Sequence, residues 1–210
     1  MKHKYRHSEE VLAGFPARAD AIRARLSDFA AIGPQEYFYE LIYCLLTPQS
    51  SAANAGKATD ALRNAGLREA QIDPAPILSS KSAYIRFHNT KARNILDVKE
   101  RFHVILPELQ NGSTPPVVRE WLVENVRGLG MKEASHFLRN IGRRDLAILD
   151  RHILRNLARH GVVRRIPKTL TKKQYLMIEN QFRVFARHLG LAMDELDLYF
   201  WSLETGEILK

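Results

Sequence analysis

Cysteine is nearly absent from this chain: Cys44 is the only one in 210 residues. One cysteine excludes an intramolecular disulfide and a four-cysteine zinc or iron–sulfur site within the chain. Long apolar runs are missing too. No stretch reaches the roughly 18 residues needed to span a bilayer, so no membrane partner is expected. The basic start "MKHKYRHSEE" leads into no apolar segment and cleavage site, so no signal peptide is expected. Strand-like alternation is lacking throughout, which argues against a β protein. A disordered chain is excluded as well, because apolar residues make up 45% of the sequence. What remains is a cytoplasmic, globular, largely helical protein.

Charge is present, and unevenly. The net charge is +9. From Arg127 to Lys173 there are thirteen Lys and Arg against three Asp and Glu, so this one stretch carries the excess. A basic surface concentrated in one segment suits a polyanion, most simply nucleic acid, although scattered solvated arginines would look the same by count.

Helical periodicity runs along nearly the whole chain. Residues 9–30 place Val11, Leu12, Phe15, Ile22, Leu26 and Phe29 at helical spacing. "IGPQEYFYELIYCLLTPQS" starts at Gly33-Pro34, ends at Thr47-Pro48, and is apolar nearly all round, as a central buried helix would be. A small-residue helix follows, closed at Gly66. "IDPAPILSS" reads as a Pro-broken connection. Further helices are expected over about 89–110, with Asn89 as cap, and through "PPVVREWLVENV". Others fall in "DRHILRNLARHG", "TKKQYLMIENQFRVFARHLG" and "AMDELDLYFWSLETGEILK". The expectation is an all-α protein of about ten helices.

The stretch "VRGLGMKEASHFLRNIG" carries the most chemistry. It is not a dinucleotide fingerprint, since Glu133 stands where a third glycine belongs, and its glycine spacing is wrong for a P-loop. It fits a tight turn between two helices, with Gly128 and Gly130 supplying backbone freedom and uncovered amides for a phosphate. On the second helix, Met131, Ala134, Leu138 and Ile141 should share one face, with Lys132, His136 and Arg139 pointing elsewhere. Lys132 sits where a helix dipole disfavours a cation. That field and the nearby arginines should favour the neutral amine, a nucleophile able to form a Schiff base. A surface lysine meeting phosphate is the plainer alternative. Eighteen residues on, Asp150 in "AILDRHILRNL" looks like a helix N-cap. A carboxylate there could also act as a base or stabilise a developing cation. His136 and His152 lack a third ligand at credible spacing, so no metal site is expected.

"GLGMK" followed by Asp150 in "LDRH" resembles the helix-hairpin-helix DNA glycosylases. Their hairpin reads Leu-Pro-Gly-Val-Gly-x-Lys and precedes Val-Asp-Thr-His. The chain departs from that pattern at the proline, where Arg127–Gly128 stand. "LLTPQS" is similar to the segment that carries a duplex-entering glutamine in the endonuclease III branch, which points to Gln49. The end of the chain, "YFWSLETGEILK", together with the internal "IRFHNTKARNI", resembles the short, second (archaeal-type) class of 8-oxoguanine DNA glycosylase/AP lyase.

That resemblance implies two helical lobes with a DNA-binding cleft between them: residues 1–32 and 146–210 in one, and 33–145 in the other, with the hairpin at about 117–141. It implies Lys132 as nucleophile and Asp150 as its partner. Phe87 and Trp201 would sandwich the damaged base, the terminal carboxylate of Lys210 would read it, and Gln49, Arg127, Gly128 and Gly130 would hold DNA. Read from the residues alone, Trp201 on an apolar helix is by default a core residue. The implied partner is double-stranded DNA containing oxidised guanine, bound by a monomer. No cofactor would be required, and the resemblance implies that the hairpin can hold a monovalent cation. A related enzyme for oxidised pyrimidines and a non-catalytic DNA-binding protein are the alternatives.

Overall fold

A computed structural model describes residues 5–208. The expectation at Lys210 falls outside the described residues. The described residues form eleven α-helices and one short 3₁₀ turn, with no strand. In chain order they are α1 (Ser8–Gly14), α2 (Pro16–Ala30), α3 (Tyr37–Leu46), α4 (Ala52–Asn64), α5 (Ala75–Leu78) and α6 (His88–Gln110), followed by α7 (Pro115–Asn125), α8 (Met131–Asn140), α9 (Arg151–Arg159), α10 (Lys172–His188) and α11 (Met193–Thr205). The chain packs as two compact units, one of residues 32–141 and one of residues 1–31 with 142–210.

The 32–141 unit is built around α3. Every residue from Phe38 to Leu46 is buried, as expected for a segment apolar on all faces. Its one charge, Glu40, accepts a hydrogen bond from Asn140 Nδ2 at 3.3 Å. α4, α6 and α8 pack around it. α6 turns Ile95, Val98, Phe102, Ile105 and Leu109 inward, and Phe102 meets Phe38 edge-on at 5.2 Å. In the other unit, α11 lies against α2, α9 and α10. Its core includes Phe182, Phe185 and Phe200 around a buried His160, whose ring stacks on Phe200 at 5.2 Å. Nδ1–H of His160 donates to the Arg6 carbonyl at 3.0 Å, and burial holds the imidazole below its ordinary pKa.

Four helix boundaries differ from the sequence reading. Residues 9–30 form two helices, because Pro16 has no N–H to give and starts α2 instead of continuing α1. The central helix begins at Tyr37, after a turn closed by Glu36 N–H to the Gly33 carbonyl at 2.9 Å. The "Pro-broken connection" contains the single-turn α5. α6 starts at His88, not from an Asn89 cap, and the residue before it, Phe87, is left-handed at φ 60°.

Candidate active site

The hairpin is α7, a five-residue turn and α8. Val126 and Leu129 are buried and pin the turn, with Val126 N–H donating to Leu122 O at 2.8 Å and Leu129 N–H to Val126 O at 3.2 Å. Gly128 is required twice over. Its φ is 94°, and a Cβ there would run into the Asn94 side-chain amide and lie 3.2 Å from Leu45 Cδ2. Gly130 corrects the expectation that both glycines need unusual backbone. At φ −95° and ψ −178° it is plain extended chain. Its lack of a side chain instead leaves the first amides of α8 uncovered and uncapped. Arg127 is exposed at the same turn.

Lys132 lies in the first turn of α8, with its side chain 27% exposed and its Nζ 3.7 Å from Glu133 Oε1. Beyond this turn the helix departs from the one-faced pattern read from the sequence, because α7 and α3 both pack against it. Ala134 through Asn140 are all buried, including His136 and Arg139. The polar groups are absorbed into pairs. Arg119 Nη1 donates to Ser135 Oγ at 3.1 Å, Arg139 Nη2 to Asn140 Oδ1 at 3.3 Å, and the His136 ring stands edge-on to Tyr43 at 5.8 Å.

Two exposed side chains stand on strained corners of the same unit. Gln49, just past α3, has φ 56°, and Phe87 precedes α6. Phe87 is 51% exposed, and the Arg86 guanidinium lies 4.9 Å from its ring centroid. With Tyr84, His88, Asn89 and Thr90 it lines a shallow depression of about 310 Å³. Lys91 is a residue the sequence reading missed. It is buried, and its Nζ donates to the Leu46 and Pro48 carbonyls, both at 2.7 Å. Burial pushes its pKa down to about 8, with Glu133 acting to raise it and Lys132 to lower it. The available signal was its register: positions 91, 95, 98 and 102 fall on the apolar stripe of α6.

In the other unit, Leu146–Leu149 are buried and lead into Asp150. The run is held by Ala147 N–H to Glu179 Oε2 at 2.8 Å and by Leu149 N–H to the Tyr175 hydroxyl at 3.3 Å. Asp150 is the N-cap of α9, its Oδ1 accepting from Ile153 N–H at 2.8 Å. Capping occupies that one oxygen, and the side chain is only half-buried. Trp201 is half-buried on α11, between the fully buried Phe200 and Ser202. It is therefore not the enclosed core residue that burial statistics alone would suggest. Lys132, Gln49, Phe87 and the hairpin glycines thus belong to one unit, and Asp150 and Trp201 to the other. Arg151, Arg155, Arg164, Arg165, Lys168, Lys172 and Lys173 are all exposed.

Two helices joined by a five-residue glycine turn, with a lysine in the first turn of the second, form a helix-hairpin-helix arrangement. The model of the 8-oxoguanine DNA glycosylase family matches residues 22–191, and the chain belongs to that family. An 8-oxoguanine DNA glycosylase/AP lyase of Fusobacterium nucleatum is 37% identical over 99% of both chains. One of Methanocaldococcus jannaschii is 38% identical over 91% of this chain and 92% of its own length. The crystal structure of the M. jannaschii 8-oxoguanine DNA glycosylase superposes with a TM-score of 0.86 at 35% identity, covering 98% of each chain. The crystal structure of the M. jannaschii 8-oxoguanine glycosylase/lyase in complex with 15mer DNA containing 8-oxoguanine matches with a TM-score of 0.84 at 35% identity, over 96% of this chain and all of the other.

Proposed function

We propose that the chain excises 8-oxoguanine from double-stranded DNA and then nicks the strand at the abasic site. The observation that carries this is Lys132 in the first turn of an uncapped helix, directly after a turn that only glycine can make. In this reading the turn amides and Arg127 take the DNA backbone. The target nucleotide leaves the stack, since its glycosidic bond is out of reach inside the duplex. Gln49 fills the gap, Phe87 and Trp201 hold the base between them, and the Lys210 carboxylate accepts hydrogen bonds from its N–H groups.

Lys132, as the neutral amine, attacks C1′. The glycosidic C–N bond breaks and the base leaves with its electron pair and a proton. Asp150 takes the amine proton or stabilises the cationic sugar with the oxygen not used in capping. Ring opening gives an iminium between Lys132 and C1′. Loss of a C2′ proton then expels the 3′ phosphate by β-elimination. No cofactor is required. A monovalent cation at the hairpin would be held by backbone carbonyls, because residues 126–130 offer no carboxylate, a donor set suited to a weakly bound alkali ion. The protein acts as a monomer and works in the cytoplasm, on the nucleoid. Among the described residues no helix is long and apolar enough to cross a membrane.

Borohydride trapping on a panel of damaged duplexes tests this. The expected result is a covalent adduct on 8-oxoguanine duplex that Lys132→Gln abolishes. Preference for an oxidised pyrimidine would move the substrate, and salt-dependent binding without nicking would remove the chemistry altogether.

A further inference from the structure

Gln49 at φ 56° and Phe87 at φ 60° hold conformations that residues with side chains seldom adopt. Such positions are strained and persist only where the surroundings fix them. One residue reaches both. The backbone N–H of Lys91 donates to the Phe87 carbonyl at 3.0 Å. Its side chain crosses to the end of α3 and donates to Leu46 O and Pro48 O at 2.7 Å and to Ser50 Oγ at 3.4 Å, bracketing Gln49 on both sides. Two lesser ties run parallel to it. Ser50 Oγ accepts from Arg86 N–H at 3.1 Å, and Asn54 Nδ2 donates to the Tyr84 carbonyl at 3.1 Å.

A lysine 6% exposed is an unusual choice for a brace. Taking its charge out of water is costly unless several well-placed acceptors offset it. The carbonyls at a helix C-terminus are such acceptors, since they lack intrahelical donors and sit at the negative end of the dipole. Bonds from a cation to these carbonyls are short and strong, which a neutral side chain would not reproduce.

We infer that Lys91 is a positioning residue that locks the Gln49 and Phe87 corners into one preassembled unit, so that both side chains meet the duplex without a further ordering cost. The inference rests on the proposed base extrusion above. It separates two steps of the reaction. A damaged base must be extruded and stacked, whereas an abasic site has no base to stack. Lys91 therefore matters for excision far more than for attack on a bare abasic sugar.

The test measures single-turnover excision from 8-oxoguanine duplex and borohydride trapping on a preformed abasic duplex, for wild type, Lys91→Met and Ser50→Ala. Wild type must do both; if it does neither, the functional reading fails independently of this inference. Lys91→Met should slow excision on the order of 10-fold or more, as misplacement of a positioning group does, with trapping close to wild type. Ser50→Ala should show a smaller loss in excision alone. Equal losses in both assays, or unchanged excision in Lys91→Met, would overturn the inference. If Lys91→Met does not fold, Ser50→Ala decides: selective loss of excision supports the brace, and no selective loss rejects it.

Discussion

The N-termini of α8 and α9 solve the same problem in opposite ways. α9 opens on Asp150, whose carboxylate accepts an amide of the first turn and complements the helix dipole. α8 opens on Gly130, which supplies no cap, and carries the cation Lys132 in its first turn. By its cap α8 starts badly, with Glu133 alone in the first turn to complement the dipole. Its stability comes instead from tertiary packing, since Ala134 through Asn140 are all buried. The difference separates the two ends: Asp150 takes up an amide of α9, whereas the first amides of α8 have no side-chain cap, which suits the phosphate contact proposed for them.

Substitutions that exchange these characters should break the comparison. Lys132→Gln has the largest expected effect, with no borohydride adduct and no strand nicking, yet a melting temperature close to wild type, since the side chain is partly exposed. Asp150→Asn comes next. Asparagine caps about as well as aspartate, so folding is kept, but turnover should fall on the order of 10²-fold or more as the charge is lost. Asp150→Ala should add about 1 kcal/mol of destabilisation from the lost cap. Calorimetry beside single-turnover kinetics separates the two.

The two hairpin glycines sharpen the picture on a smaller scale. Gly128→Ala forces a side chain into φ 94° against Asn94 and Leu45, and should cost about 1–3 kcal/mol in denaturant unfolding. Gly130→Ala meets only the flexible Glu133 carboxylate, at 3.1 Å, and should stay within about 0.5 kcal/mol of wild type. Any loss of DNA affinity in Gly130→Ala would then report on the covered amides rather than on the fold.

The smallest effect concerns pH. His160 is buried and its pKa lies below the ordinary 6.5. Below about pH 6.5 the unfolded chain therefore binds more protons than the folded one, and stability falls as the pH drops. Melting curves taken across that range should show this slope in wild type and a shallower one in His160→Phe, which keeps the stacking on Phe200.

The all-helical class was legible because the apolar spacing is helical nearly everywhere, and the hairpin was legible because two glycines and a lysine fall in a fixed pattern. Both signals are local. What the sequence hid depends on neighbours distant in the chain. His136 and Arg139 look like a polar face until α3 closes over them. Gly130 looks like a conformational glycine until its φ is seen to be ordinary. Lys91 looks like one more surface lysine until the end of α3 is found beneath its side chain. The left-handed turn at Phe87 was also invisible, because glycine, the usual marker of such a position, is absent there.

Burial pushes the pKa of Lys91 down to about 8. Basicity alone would therefore nominate Lys91 as the nucleophile. Geometry favours Lys132, because Lys91 Nζ is turned into the protein and committed to the Leu46 and Pro48 carbonyls. Peptide mapping of the borohydride-reduced adduct by mass spectrometry decides between them. The account predicts the deoxyribose-derived mass on the peptide carrying Lys132. The same mass on the peptide carrying Lys91, or on any other lysine, would contradict it.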